Sequence, residues 1–334
     1  MRAIFKAFLL GAALAVLLAP AKAQTQSQTQ PPLTQLTIMV FQGVQNLPLF
    51  AAQTRGFFGK RNLEVEIKIA PTSEEMRNGL AEGRYQIVHG AIDNAVAMAE
   101  VAKADIAVVV GGDNGWNQLI VQPEINAAAD LRGKTVIVDA PNTAYALQLY
   151  DMLAQAGLKK GDYEVKVVGA TFRRLDAIRG DKTIAASMLN PPFSVLAQKA
   201  GLKNLGSAVK TVGPYQATGG FVMRAWAKQN EDTLVKYLAA YVEGVRWALD
   251  PANKEHAIRL LMDRLKLAED VATAAYTYAT DPAEGFAKDG KVDVEGFRNV
   301  LKLRAQHLGT WGGTPPAPEK YLDLSYYQKA FAGL

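Results

Sequence analysis

The sequence predicts an α/β protein built as two doubly wound lobes, and three observations carry that expectation. Residues 133–157 read as a buried strand, a tight turn and the start of a helix. From Leu36 the chain runs strand, helix, strand, helix, strand. That order then returns about a hundred residues further on, as an internal repeat. Sheets of this kind take ligands outside the carboxyl ends of their strands, so two facing lobes would share one cleft.

The stretch GKTVIVDAPNTAYALQLYDMLAQAG sets the pattern. Thr135, Val136, Ile137 and Val138 are β-branched and too apolar together for a half-solvated strand. Asp139, Ala140, Pro141 and Asn142 break the chain, and Asn142 reads as a helix N-cap. The amides of Thr143, Ala144 and Tyr145 then lie near a helix end, a ready place for an anionic or polar ligand.

The first copy begins with a strand at residues 36–40, the turn FQGVQN and a helix over 47–56. LEVEIKI follows, with Leu63, Val65, Ile67 and Ile69 alternating with charge. Thr72 and Glu75 have capping-box spacing, Gly83 closes the helix they open, and a strand follows at 86–89. In the second copy, 135–138 answers 37–40, the helix ending at Gly157 answers the one ending at Gly56, and 164–168 answers LEVEIKI. A helix around 174–178, closed by Gly180, answers 74–83, and 183–188 answers 86–89. After Thr218-Gly219-Gly220 comes the strand-like FVMRAW and then a mainly helical remainder. Leu234, Leu238, Tyr241, Val242, Val245 and Leu249 share one helical face that ends at Asp250-Pro251. Further helices are expected at 254–265, 269–278 and 293–308, with Tyr321, Leu322 and Asp323 packed back on the body. The helical remainder brings no strands of its own and completes the first lobe.

Residues 1–23 read as an export signal: Arg2 and Lys6 precede the uncharged run 7–19, and Ala21-Lys22-Ala23 is a small-x-small cleavage site. Cleavage after Ala23 leaves 311 of the 334 residues and lowers the formal charge from +5 to +2, because Arg2, Lys6 and Lys22 leave with no acid. The basic balance thus belongs largely to the signal, and a nucleic-acid role loses its main support. The Gln- and Thr-rich tract 24–35 reads as a flexible leader. With no cysteine there is no lipid-attachment site, disulfide, thiolate metal site or Cys nucleophile. His89, His256 and His307 lie far apart and no Walker-type phosphate loop is present, so neither a metal nor another cofactor is expected.

Together, LPLFAAQTRGFFGKRNLEVEI, GLAEGRYQIVHGAIDNAV, LRGKTVIVDAPNTAYALQLYDMLAQAGL, NPPFSVLAQKAG and EGFRNVLKL resemble the periplasmic solute-binding proteins of ABC importers that handle nitrate, sulfonates, taurine and thiamine-pyrimidine precursors. The resemblance implies a type II periplasmic binding protein, with lobe 1 formed by 36–117 and 221–334 and lobe 2 by 118–220. The chain would cross between them near 116–123 and 218–222. It also implies a periplasmic monomer that closes on a small solute and docks on a membrane permease driven by a cytoplasmic ATPase. Some relatives present a Gly-Ser-Thr or Gly-Thr loop where this chain has Pro141-Asn142-Thr143-Ala144. The Cys-rich motif of the fungal pyrimidine-synthase branch is absent.

Candidate ligand contacts follow from placement. Gln42, Gly43 and Asn46 sit in the turn after the first strand, where plain turn chemistry competes with ligand contact. Asp93 and Asn94 follow the third strand and either cap a helix or face the cleft; His89 precedes them. Trp116 and Asn117 lie at the first crossing and Thr218 at the second, with a core role as the alternative for Trp116. Thr143, Ala144 and Tyr145 stand at the helix start, and Asn190 answers Asp93 and Asn94 across the repeat. Arg173 and Arg174 either compensate an anionic ligand or, as is commoner at the start of an amphipathic helix, form a solvated face. The leading function is capture of a small polar organic solute without covalent chemistry. The alternatives are an enzyme on the same fold using His89 or Asp93 as acid/base, and a periplasmic ligand sensor.

Overall fold

The computed structural model describes residues 32–334. The export segment expected over 1–23, and the leader as far as residue 31, lie outside the described residues. The leader ends earlier than the composition implies, since Thr34 and Gln35 already pair with Leu63 and Glu64.

Residues 33–334 form one compact unit that holds two five-stranded sheets. The first half supplies β1 (Thr34–Val40), α1 (Leu47–Thr54), β2 (Leu63–Ile69), α2 (Ser73–Ala81), β3 (Ile87–Ala91), α3 (Ile92–Glu100) and β4 (Ile106–Gly111). The repeat supplies β5 (Gln118–Val121), β6 (Thr135–Val138), α4 (Ala144–Gln155), β7 (Glu164–Val167), α5 (Thr171–Gly180), β8 (Ile184–Leu189), α6 (Phe193–Lys199), β9 (Lys203–Ser207) and α7 (Ala208–Val212). The chain then returns through β10 (Thr218–Met223) to α8 (Arg224–Gln229), α9 (Glu231–Leu249), α10 (Lys254–Leu265), α11 (Glu269–Ala279), α12 (Val294–Leu308) and α13 (Ser325–Ala332).

Strand order is β2-β1-β3-β10-β4 in the first sheet and β7-β6-β8-β5-β9 in the second. Each sheet takes one antiparallel strand into its interior, β10 between β3 and β4 and β5 between β8 and β9. Both are the first strand after a crossing between lobes. β10 begins at Thr218, which pairs with Ala91, so the return to the first sheet is under way before residue 220. Its Gly219-Gly220 pair answers a close approach: a Cβ on Gly219 would fall 2.5 Å from the Val110 carbonyl oxygen, and one on Gly220 would fall 2.7 Å from Val110 Cγ1.

The core explains the helices. Leu234, Leu238, Tyr241, Val242 and Val245 of α9 are buried, and α9 lies against α1 and α13, so the C-terminal helices cover the first sheet. Asp293 caps α12 by accepting from the Gly296 amide at 3.0 Å, and Gly309, at φ 66°, ends it in the left-handed conformation that favours glycine. The Tyr321 carbonyl accepts from the Val108 amide, and the Asp323 amide donates to the Val108 carbonyl, which ties the tail to β4. Thr72 caps α2 by accepting from the Glu75 amide. The expected cap of α4 shifts by one residue, from Asn142 to Thr143.

Candidate functional site

A cavity of about 370 Å³ lies between the loops of the two sheets. Gln42, Gln45, Arg77, Asn94 and Thr218 line it from the first sheet's side; Asp139, Thr143, Tyr145, Arg174 and Asn190 line it from the second. Four helices begin at its wall: α2 with Thr72, Ser73 and Glu74, α3 with Ala91 and Asn94, α4 with Thr143 and Tyr145, and α5 with Ala170 and Thr171. The first amides of a helix have no partner within it and carry the positive end of its dipole. Two such ends from each lobe therefore bias the cavity towards anionic groups. Across it, Asn190 Nδ2 donates to Gln45 Oε1 at 3.2 Å, a direct bond between the lobes.

Charged side chains sharpen that bias. Arg174 is 1% exposed, with Nη1 donating to the Gly169 carbonyl at 2.6 Å and Nη2 to Thr171 Oγ1 and the Met188 carbonyl at 3.1 and 3.2 Å. Its guanidinium lies 4.7 Å from the Tyr145 ring centroid and 3.9 Å from Asp139. Burial draws the Arg174 pKa down and Asp139 opposes that, but a guanidinium keeps its proton. Arg77 also lines the cavity and donates to Asn94 Oδ1 at 2.8 Å. Glu74 and Asp139 supply the negative counterpart on the wall. The Thr143 hydroxyl is engaged locally, donating to Asp139 Oδ1 at 2.5 Å.

The sequence pattern of NMT1/THI5-like proteins matches residues 44–254, which run from the turn after β1 through α9 and so take in most of both sheets. The chain belongs to the NMT1/THI5-like family. No curated protein matches it by sequence. Among solved structures it is similar to the periplasmic nitrate-binding protein NrtA from Synechocystis PCC 6803, at 15% identity over 90% of this chain and 89% of that one, with a TM-score of 0.75. It is also similar to the periplasmic aliphatic sulphonate-binding protein SsuA from Escherichia coli, at 19% identity over 86% and 92% of the two chains, TM-score 0.69. The desulfurization enzyme DszB shares the fold too, at 14% identity over 89% and 99%, TM-score 0.65. Likeness at these identities is likeness of fold, two α/β lobes facing a cleft.

In this NMT1/THI5-like chain the residues singled out by sequence divide into three groups. Gln42, Asn94, Thr143, Tyr145, Asn190 and Thr218 line the main cavity. Trp116, Asn117 and Ala144 line a recess of about 20 Å³ that shares Tyr145, Asn190 and Thr218 with it. Gly43, Asn46 and Asp93 line neither. Asn46 is buried and donates to the Phe41 carbonyl at 2.7 Å. Asp93 pairs with Arg304 Nη1 at 2.7 Å. It and Asn94 fall inside the first turn of α3, whose cap is Ala91. His89 packs 4.6 Å from the Tyr241 ring and 5.9 Å from Tyr237, and burial lowers its pKa to about 3.

Sequence reasoning favoured the solvated reading of Arg174 over its pairing with an anion. The expectation of a solvated Arg173-Arg174 pair holds for the exposed Arg173 and fails for Arg174, which is among the most buried side chains. Helical spacing puts it on the buried face, four residues before Ile178 and beside Leu175, but its charge argued against burial, which the carbonyls of Gly169 and Met188 and the ring of Tyr145 make possible. A positive charge three residues after a Gly-Ala-Thr turn, on the helix face of Ile178, was the local signal.

Proposed function

We propose that this chain is the solute-binding component of an ABC importer, exported to the periplasm, which captures a small polar organic anion such as a sulfonate and hands it to a membrane permease. The observation that carries this reading is the convergence of four helix N-termini on one cavity between two lobes. Arg77 from the first lobe and Arg174 from the second supply the charge-assisted donors that an oxyanion takes best. The volume of about 370 Å³ suits a small organic molecule. Two lobes joined by two short crossings can hinge, and a ligand that touches both favours the closed arrangement. Export is supported by the charge and cleavage-site pattern of residues 1–23.

The fold serves enzymes as well as receptors, so the site must decide. Binding without chemistry is favoured because His89 sits against Tyr241 and Asp93 against Arg304, with neither on the cavity wall. A general acid or base needs hydrogen-bond reach of its substrate. Titration calorimetry with alkanesulfonates, carboxylates and nitrate tests the proposal. Saturable binding of at least one of these anions, weakened in Arg174→Met, is expected. No binding of any of them, or turnover abolished by His89→Ala, contradicts it.

A further inference from the structure

The cavity between the lobes has a floor and a mouth. Its floor is the recess lined by Asp113, Trp116, Asn117 and Thr218, residues of the two crossings. β2 and β7 are edge strands, each three positions across its sheet from the strand that follows a crossing, β10 or β5. At about 4.8 Å per strand that is roughly 14 Å. α2 and α5, which follow those edge strands, therefore start at the mouth, where rotation about the crossings moves the wall furthest.

Five charged side chains line the cavity: Glu74, Arg77, Asp139, Arg173 and Arg174. Three of them are engaged. Asp139 lies 3.9 Å from Arg174 and accepts from the Thr143 hydroxyl, and Arg77, one turn on from Glu74, donates to Asn94. Glu74 and Arg173 are left over. Both are exposed, and neither side chain has an ion pair or hydrogen bond among the described residues; the Arg173 guanidinium lies 5.7 Å from the Phe172 ring centroid. They are opposite in sign, belong to opposite lobes, and sit in the first turns of two helices that answer each other across the repeat.

Their surroundings favour a meeting. α5 opens on two cations with no acid in its first turn, against the sign its dipole prefers. An acid brought up to that end offsets the mismatch. A lone carboxylate at the mouth of a cavity biased towards anions weakens capture unless something neutralises it, and Arg173 stands on the facing wall.

We propose that Glu74 and Arg173 pair across the mouth when the lobes close on a solute, and so act as positioning residues that favour the closed arrangement. This rests on the solute-receptor reading and adds to it a contact between the lobes that does not touch the solute.

The experiment is titration calorimetry of the full mature chain, Glu74→Gln, Arg173→Gln and the double variant, with nitrate, propane-1-sulfonate and butanoate as probes. Both side chains are exposed, so the substitutions spare the core. For each probe the wild type binds, Glu74→Gln is expected to raise the dissociation constant about two- to fivefold, the scale of one exposed ion pair. Removing a carboxylate that merely repelled the anion would lower it instead. In the Arg173→Gln background Glu74→Gln is expected to cause no further weakening, because its partner is already gone. Binding by Glu74→Gln as tight as the wild type or tighter overturns the proposal, and so does the same weakening with and without Arg173; either result leaves the receptor reading intact. A wild type that binds none of the three probes overturns the receptor reading and the proposal with it.

Discussion

Arg304 and Asp93 lie 211 residues apart in the chain and meet through Arg304 Nη1 and Asp93 Oδ1 at 2.7 Å, each side chain 2% exposed. The same Nη1 donates to the Asn142 carbonyl at 3.3 Å, just before α4. One guanidinium on α12 therefore ties the start of α3 to the turn that leads into the second lobe's binding helix. Burial pushes the Asp93 carboxyl up, and Arg304 opposes that.

Breaking this pair from one side is expected to be costly. Arg304→Met leaves a buried carboxylate without its cation, and one-sided loss of a buried ion pair costs about 3–5 kcal/mol. Combining it with Asp93→Asn is expected to restore most of the lost stability. Urea denaturation of the two single variants and the double variant gives the coupling directly.

Arg174 is expected to govern anion affinity. A hydrogen bond to a charged group contributes about 1.5–3 kcal/mol, so Arg174→Met raises the dissociation constant of an anionic ligand about ten- to a hundredfold. Arg174→Lys is expected to weaken binding too, because one ammonium cannot meet the Gly169 and Met188 carbonyls and Thr171 as the planar guanidinium does. Calorimetric titration of the three proteins measures the series.

His89 makes the fold acid-sensitive. Its pKa falls to about 3 on burial, so below the ordinary value near 6.5 the unfolded chain takes up a proton that the folded one refuses. The contribution of His89 to stability is present at pH 7 and declines by about 1.4 kcal/mol per pH unit between about 6.5 and 3. Between pH 7 and pH 5 the wild type is expected to lose about 2 kcal/mol more than His89→Phe. Chemical denaturation at the two pH values checks the difference.

Asp113 acts with the opposite sign. Burial raises its carboxyl from 3.8 to about 6, so the folded protein binds the proton more tightly than the unfolded chain. Stability from this group is greatest below about pH 4, falls as pH rises to 6 and stays low above it. In the ligand-free protein Asp113→Asn is expected to stabilise the fold at pH 8 by up to about 3 kcal/mol, with the gain shrinking towards zero at pH 4. Thermal denaturation at both pH values measures it.

The order of the elements was legible because burial and sequence period agree. Val136, Ile137 and Val138 form a covered strand, and Thr72 caps its helix at the expected spacing. The antiparallel seating of β5 and β10 was not, since each strand's direction follows from the path of a crossing and not from its own residues.

At the site, the loops were readable and the partners were not. Gln42, Asn94, Thr143 and Asn190 reach the cavity because they sit at strand ends, where local order places them. Asp93, one residue before Asn94, is drawn off by Arg304, a residue of a helix more than two hundred positions away. Arg174 looked solvated because its charge outweighed its place on the buried face with Leu175 and Ile178, where the Tyr145 ring and the Met188 carbonyl receive it. Electrostatic pairing over such distances leaves no local signature.

The most direct measurement is a crystal structure of the mature chain with a bound short alkanesulfonate. The sulfonate is expected between the lobes, with its oxygens about 3 Å from amides at the starts of α4 or α5 and from Arg174. A sulfonate seated on an outer surface while the cleft beside Asn94 and Thr143 holds only solvent contradicts the shared binding cavity.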